Sequence, residues 1–155
     1  MSVEKLEVKG LRLIAKHNNN VQNNIADVLA NLARRMAEHD QSKYYDEEYD
    51  LVVGKPYLET LEYNTPEYKA GLERVQDAVD HHYMLNTHHP EHFPDGVKGM
   101  TLLDLIEMAC DWQAASIEHN STFLESIKRN VERFGLSIEM QEILMNTGRE
   151  MGWIK

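Results

Sequence analysis

The chain has 155 residues, of which 42% are hydrophobic and 27% are charged, and its formal net charge is -10. This length and balance are typical of a soluble globular protein, so we expect residues 1–155 to form one domain with a single core. A broadly acidic surface repels nucleic-acid backbones and argues against a polymeric nucleic-acid partner. It does not exclude a small phosphorylated substrate, because a bound metal ion inverts the local field.

The sequence predicts a cytoplasmic protein with no membrane partner. No apolar run approaches the roughly 20 residues that a membrane span needs, and the start of the chain, Met1–Lys5, lacks the apolar core of a signal peptide. Cys110 is the single cysteine, so an internal disulfide is excluded, which fits a reducing compartment. We expect Cys110 in the core rather than among metal ligands.

The first predicted helical stretch runs from about residue 8 to the high thirties. Positions on one helical face recur at steps of three and four residues: Leu13, His17, Val21, Ile25, Leu29, Leu32 and Met36. His17 and His39 would be about 33 Å apart along an unbroken helix, whereas two ligands of one metal lie only a few ångströms apart. Either His17 is not a ligand or the chain turns back. Asparagine tolerates turns, so we predict two helices that meet at Asn23-Asn24 or Asn31, with Asp40 just past the second.

Residues 44–64 look irregular, with an acidic run and the step Gly54-Lys55-Pro56. They are either a lid or substrate loop or a solvated connection. Thr65-Pro66-Glu67 predicts the start of a helix that continues to about Asn86 and turns His82 inward. Residues 88–99, rich in proline and glycine, are predicted to form a loop.

Thr101 and Asp104 form a capping-box pattern that opens the next helix, and we predict that Asp104 serves only as its cap. Asp111 lies inside an apolar set of this helix. A buried carboxylate without a partner is costly, so Asp111 needs a cation, either a metal or an arginine, or strong donors nearby.

Ser121 and Ser137 are predicted to begin two further helices, and Gly135 to end the first of them. The apolar side of the last helix is predicted from Ile138, Ile143, Leu144 and Met151. No segment alternates with period two for long enough to be a strand. The sequence therefore predicts an all-α fold, a bundle of roughly six or seven helices.

Four of the eight histidines fall within nine residues, at His81, His82, His88 and His89. Zinc, manganese, iron and cobalt favour imidazole and carboxylate ligands. The candidate metal ligands are His17, His39, Asp40, His82, His88, His89 and Asp111. Each has a simpler interpretation: a lone histidine on an apolar face is usually a satisfied core residue, and the His88-His89 step can be a polar loop. Glu107, one turn before Asp111, is a candidate hydrogen-bond acceptor for a ligand histidine.

The order His17…His39-Asp40…Asp111 resembles the HD-domain metal-dependent phosphohydrolase superfamily, whose core pattern is H…HD…D. A closer resemblance is to a little-characterised HD-like family with HDxSK, HxxxNxHHPE and EMxxDW steps. The chain has all three, beginning at His39, His82 and Glu107. The extra histidines also resemble those of the HD branch that holds two or more metals, which includes cyclic-dinucleotide phosphodiesterases with an HHE step followed by Gly-Tyr-Pro. Here Asp95-Gly96 follows His88-His89, and the Gly-Tyr-Pro signature is absent.

The resemblance implies a metal centre with one or two divalent ions, of manganese, iron, cobalt or zinc. His17, His39, Asp40 and Asp111 would hold the first ion. Asp40 would bridge to a second ion held by His82 together with His88, His89 or both. HD-type enzymes are often dimers, which by analogy suggests a homodimer.

The expected activity is hydrolysis of a phosphate ester, of a nucleotide or another small phosphorylated metabolite, with Asp40 at its centre. Lys43 would place its ammonium against the phosphate, or is simply a surface lysine, and Glu91 would orient the attacking water. Two alternatives remain open. One is a di-iron oxygenase of the same superfamily, and the other is a non-catalytic helical module that binds a nucleotide or a protein.

Overall fold

The computed structural model describes residues 3–61 and 65–155, and over these residues the protein is all-α, as predicted. The six α-helices are α1 (Val3–Glu38), α2 (Tyr49–Glu59), α3 (Pro66–Leu85), α4 (Leu102–Glu118), α5 (Phe123–Phe134) and α6 (Ile138–Glu150). Short 3₁₀ turns span Gln41–Tyr44, Asp46–Glu48, Pro90–His92 and Gly96–Gly99. Helix α1 forms one compact unit, and residues 39–155 form another. None of the helices described is long and apolar enough to cross a membrane.

Helix α1 is one continuous helix of 36 residues, so the predicted break at Asn23-Asn24 or Asn31 is wrong. Asparagine permits a turn but does not impose one, and the neighbouring alanine, leucine and arginine residues favour a helix. The Asn31 side chain is satisfied inside the helix, because its Nδ2 donates to the carbonyl of Asp27 at 3.0 Å. Asp40 lies just past the helix end, as predicted.

The segment 44–64, predicted to be irregular, begins at the last residue of one 3₁₀ turn and contains the turn Asp46–Glu48 and helix α2. Residues 62–64 lie outside those described. Gly54 suggested a loop, but its missing side chain permits close packing of α2 on α3. A Cβ there would lie 2.5 Å from Cγ2 of Val75, and a Cβ on Gly71 would lie 2.8 Å from Cδ2 of Leu58. The two glycines therefore mark the α2–α3 contact rather than a turn.

The predicted helix starts are confirmed at three of four places. Thr65 caps α3, Thr101 and Asp104 form the reciprocal capping box of α4, and Ser137 caps α6. The cap of α5 is Thr122, one residue after the predicted Ser121. Gly135 ends α5 with φ 61°, in the left-handed region.

Helices α4, α5 and α6 enclose the main apolar cluster of residues 39–155. Its buried members are Met108, Ala109, Trp112, Phe123, Ile127, Leu136 and Leu144. Three of the four residues predicted on the apolar side of α6 are exposed: Ile138, Ile143 and Met151. The fourth, Leu144, is buried as predicted, and one turn later Gly148 is buried too, where a Cβ would lie 2.8 Å from Cδ1 of Phe123. Cys110 is exposed, so its predicted core position is also wrong.

Helix α4 has one apolar face and one acidic face. Met108 and Trp112 point into the apolar cluster, while Asp104, Glu107 and Asp111 follow one another at steps of three and four residues. Such a spacing places side chains on one side of a helix. That second face carries acidic groups to the histidine-rich segments.

Candidate metal centre

Asp40 sits in a tight turn that directs its carboxylate among the histidines. Its backbone is left-handed, with φ 55°, a conformation that aspartate tolerates better than most residues. Oδ2 accepts from Nζ of Lys43 at 2.5 Å and lies 3.5 Å from Nε2 of His39. Oδ1 points the other way, 3.3 Å from Nε2 of His82 and 3.5 Å from Nε2 of His88.

His82 lies in the last turn of α3 and is held in place by Glu48, which is fully buried. Oε2 of Glu48 lies 2.9 Å from Nδ1 of His82 and also accepts from Ser42 Oγ at 2.9 Å, while Oε1 lies 3.0 Å from Nδ1 of His81. An ionised carboxylate only accepts, so the ring proton of His82 is on Nδ1. The Nε2 lone pair of a neutral His82 therefore faces Asp40 and His89.

The loop after α3 brings the second pair of histidines to the same point. Thr87 Oγ1 donates to Oδ1 of the buried Asp104 at 2.6 Å and so fastens the loop to the first turn of α4. Asp104 is therefore more than the helix cap that the sequence predicted. His88 and His89 follow directly, with ring centroids 4.2 Å apart, and His89 Nε2 lies 3.0 Å from His82 Nε2.

Glu107 is a common partner of two further rings. Its Oε1 accepts from Nδ1 of His39 at 2.9 Å and lies 3.2 Å from Nδ1 of His88. The predicted contact between Glu107 and a candidate histidine is thus present. Because the Nδ1 atoms face the carboxylate, the Nε2 atoms of both rings turn toward Asp40.

The atoms that converge at this point have the spacing of metal ligands. One ligand atom from each of Asp40, His82, His88 and His89 lies within 4.8 Å of the others. A tetrahedral ion with bonds of about 2.1 Å separates its ligands by about 3.4 Å. Two separations match this value closely, His82–Asp40 at 3.3 Å and His88–Asp40 at 3.5 Å, and the His82–His89 separation is shorter, at 3.0 Å. Among the residues described, Asp40 Oδ1 and His88 Nε2 are buried atoms without a hydrogen-bond partner.

The electrostatics favour the protonation states that bind metal. Burial, with the neighbouring His39, lowers the pKa of His88 to about 4, and burial with His88 lowers that of His89 to about 3. Both rings are therefore neutral at physiological pH. Burial opposes ionisation of Asp40, but the hydrogen bond and charge of Lys43 outweigh it and hold the pKa below its ordinary value. Neutral imidazoles around an ionised carboxylate are the forms that coordinate a divalent ion.

The continuous helix α1 keeps His17 far from the C-terminal end of that helix. His17 is exposed in the middle of α1, 21 positions before the last residue of an unbroken helix, which corresponds to about 32 Å along the axis. The turn that would have allowed His17 to share an ion with His39 is absent, and none of the groups of described residues with metal-ligand spacing contains it.

Asp111 and Glu91 lie outside the four-ligand set. Asp111 Oδ1 lies 3.9 Å from Nε2 of His39, and burial raises the pKa of its carboxyl. Glu91 Oε1 accepts from Nη2 of Arg133 at 2.5 Å and faces a different cavity, beside Phe93. Its carboxylate is thus engaged away from the position where it would orient a water.

Glu48 is the residue that the sequence interpretation missed. It lies in an acidic run, Asp46-Glu47-Glu48, which reads as a solvated surface segment. Nothing in the run distinguishes the fully buried Glu48 from its exposed neighbour Glu47. Only the fold, by placing the turn Asp46–Glu48 against α3, makes one of these carboxylates the partner of His81 and His82.

A family model matches residues 7–150, which is most of the chain and includes every residue of the centre. The chain belongs to the family of unknown function DUF5662. No curated protein and no solved structure matches it. Membership therefore brings no assigned activity, and the chemistry has to be argued from the centre itself.

Proposed function

We propose that the protein is a metal-dependent hydrolase of phosphate esters that holds a divalent transition metal between Asp40, His82, His88 and His89. The observation that carries the proposal is the pair of buried, unpartnered atoms Asp40 Oδ1 and His88 Nε2, which lie 3.5 Å apart. With its proton on Nδ1, His88 presents a lone pair to a carboxylate oxygen. Two facing lone pairs in a buried place need a cation between them.

The surrounding residues fit such an ion. Glu48 and Glu107 hold the Nδ1 sides of His82 and His88, an arrangement that fixes the tautomer of ligand histidines. A divalent ion bound there would need a fifth position beyond the four protein ligands; a water in that position would have a lowered pKa, and the ion would polarise a phosphoryl oxygen. Four protein ligands of mixed imidazole and carboxylate type suit manganese, iron, cobalt or zinc.

We place one ion on the Oδ1 side of Asp40. The Oδ2 side is occupied by the ammonium group of Lys43, at 2.5 Å. A second ion on that side would draw on His39 and Asp111, whose Nε2 and Oδ1 lie 3.9 Å apart, and would require Lys43 to move. Lys43 thus supplies the positive charge that a second ion would otherwise bring.

The substrate would enter a cavity of about 470 Å³ that opens beside the centre. Lys43, His82 and His89 form its polar end, and its apolar wall consists of Leu51, Val52, Val79 and Tyr83. An anionic phosphate fits against the lysine and the imidazoles, while the wall contacts the organic group of the ester. This volume suits a small phosphorylated metabolite, and a nucleotide is one example of that class.

The test is elemental analysis combined with a hydrolysis screen. Protein purified without added metal, and protein reconstituted with each of the four metals, should bind one ion per chain. The Asp40→Ala and His88→Gln variants should lose the ion, and His17→Gln, the matched histidine outside the centre, should retain it. Metal-loaded wild type should hydrolyse members of a phosphomonoester and phosphodiester panel. Absence of binding after reconstitution, or full turnover in Asp40→Ala, would overturn the proposal.

A further inference from the structure

We propose that α1 is a self-association surface, which pairs in parallel and in register with α1 of a second copy of the chain. This inference is independent of the metal centre. It rests on the heptad pattern, the exposure and the charge of α1. The helix has 36 residues, and most of its large apolar side chains are exposed.

The apolar side chains of α1 follow a seven-residue repeat rather than a scattered pattern. One position of the repeat, the a position, holds Leu11, Asn18, Ile25 and Leu32. The d position, three residues after each of these, holds Ile14, Val21, Val28 and Arg35. Steps of three and four residues sustained over three heptads are the a and d pattern of a coiled coil.

The exposed fractions show that most of this seam is uncovered, whereas Leu32 and Arg35 at its end are partly buried. Leu11 is 60% exposed, Ile14 58%, Ile25 54% and Val28 45%. Leu29, at the neighbouring e position, is 60% exposed and widens the strip. A row of half-exposed aliphatic side chains along one helix is stabilised by burial against another apolar surface.

The apolar seam suits a pair whose formation depends on concentration. It runs from Leu11 to Leu32 and ends before Arg35, which would face Arg35 of the second copy. These 22 residues span about 33 Å. A contact strip about 10 Å wide along that length covers about 330 Å² on each helix, or about 660 Å² on two. This is less than the roughly 1,000 Å² of a standard stable interface, so we expect a weak dimer that dissociates on dilution.

Asn18 argues for a second copy in parallel register as the occupant. A single asparagine at an a position fixes register and strand number, because two such residues satisfy each other only when they meet across the seam. Identical parallel chains place Asn18 opposite Asn18. An antiparallel partner would face this amide with an aliphatic d residue and leave a buried polar group unsatisfied.

The low net charge of α1 is compatible with pairing between two copies of this helix. The whole chain carries a net charge of -10, so two copies repel over most of their surface. Helix α1 has six lysine and arginine residues and four acidic residues, and is therefore nearly neutral. It also has no aromatic residue and a polar side rich in asparagine, unlike helices that bind membranes through aromatic and basic side chains.

The test compares two matched glutamate substitutions in the full-length protein. Val28→Glu places a charge in the seam, and Leu13→Glu places the same charge at an exposed position outside it. Sedimentation velocity over a range of concentrations should give a dimer for wild type and Leu13→Glu. Val28→Glu should raise the dimer dissociation constant by at least about 100-fold.

Disulfide crosslinking gives an independent measure of the register. Ile14→Cys and Ile25→Cys, each in a Cys110→Ser background, should both form a crosslinked dimer on mild oxidation, because only parallel, in-register helices bring each of two separated positions next to itself.

Several outcomes would overturn the inference. A wild-type protein that remains monomeric throughout, or a dimer that Val28→Glu leaves intact, would exclude α1 as the contact. A dimer that Val28→Glu disrupts but that either Ile14→Cys or Ile25→Cys does not crosslink would exclude the parallel register. A monomer that co-sediments with vesicles of phosphatidylcholine and phosphatidylglycerol, and loses that binding with Val28→Glu, would assign the strip to a lipid surface instead.

Discussion

Replacing Glu48 by glutamine tests whether a buried carboxylate organises the metal centre. Glu48 is 0% exposed and has three donor groups within reach, from Ser42 at 2.9 Å, His82 at 2.9 Å and His81 at 3.0 Å. Glutamine preserves the shape but replaces one acceptor oxygen by an amide that only donates. At least one buried donor then faces another donor. Such a loss costs about 1–3 kcal/mol, which lowers the melting temperature of a protein of this size by roughly 5 °C.

The same substitution should weaken metal binding, because the Nδ1 proton of His82 is no longer fixed. Loss of a hydrogen-bond partner of a ligand histidine typically lowers metal affinity by about 10- to 100-fold, or about 1.4–2.7 kcal/mol. Competition with a chromophoric chelator measures the affinity, and thermal melts in EDTA measure the stability without metal. Glu47→Gln, the exposed neighbour with the same change in charge, is the control.

A pH series strengthens this test. Burial opposes ionisation of Glu48, but the hydrogen bonds from His82, Ser42 and His81 outweigh it and lower the pKa of the carboxyl. A carboxyl with a depressed pKa stabilises the fold above its ordinary pKa, and the contribution disappears as the pH falls through the folded value. The stability difference between wild type and Glu48→Gln should therefore shrink toward acid pH. Equal metal affinity and equal melting of Glu48→Gln and Glu47→Gln at neutral pH would refute the reasoning.

Two further predictions concern the metal-free protein. Because the pKa values of His88 and His89 are lowered to about 4 and about 3, the unfolded chain takes up protons that the folded chain does not. The free energy of unfolding should fall by about 1.4 kcal/mol per pH unit for each ring as the pH drops below about 6.5, and a flat urea-unfolding profile between pH 7 and pH 5 would contradict this. Gly71→Ala should destabilise the fold by about 1 kcal/mol, because its Cβ would meet Leu58 at 2.8 Å. Gly10→Ala has open space around its Cβ and should stabilise α1 by about 0.5–1 kcal/mol, so denaturant melts of the two variants should shift in opposite directions.

Caps and turns were the most predictable part of the fold. Thr65, Thr101 and Ser137 begin their helices because a hydroxyl side chain can satisfy the free N–H groups of the first turn. Gly135 ends α5 because a residue without a side chain adopts a left-handed backbone readily. These are local interactions within a few residues, so the sequence contains all the information they need.

The predictions of local structure were wrong where a residue type occurs both in turns and inside helices. Gly54 and Pro56 read as a loop, yet they lie inside α2, where Gly54 gives Val75 room to approach. Asparagines in α1 read as turn points, yet they lie within one unbroken helix. On α6, Leu144 is buried as predicted but the other three predicted apolar residues are exposed, since Gly148 packs closely against Phe123 of α5 on the buried side.

For the candidate site too, some features could be predicted from the sequence and others could not. The sequence alone determined the residue types, because an HD step, an HH step and a carboxylate-bearing helix point to metal-ligand chemistry wherever they meet. It also supplied Glu107 as an acceptor for a neighbouring ring, a contact that the structure contains.

Only the tertiary structure decided which of these groups converge. The end of α3, the loop fastened to Asp104 and the turn at Asp40 bring four ligand atoms within 4.8 Å, while the unbroken α1 keeps His17 elsewhere along its length. Glu48 became part of the centre only because its turn is buried against α3. Spacing along the chain fixes distances within one helix, but distances between segments depend on how the intervening chain packs, and no local pattern encodes them.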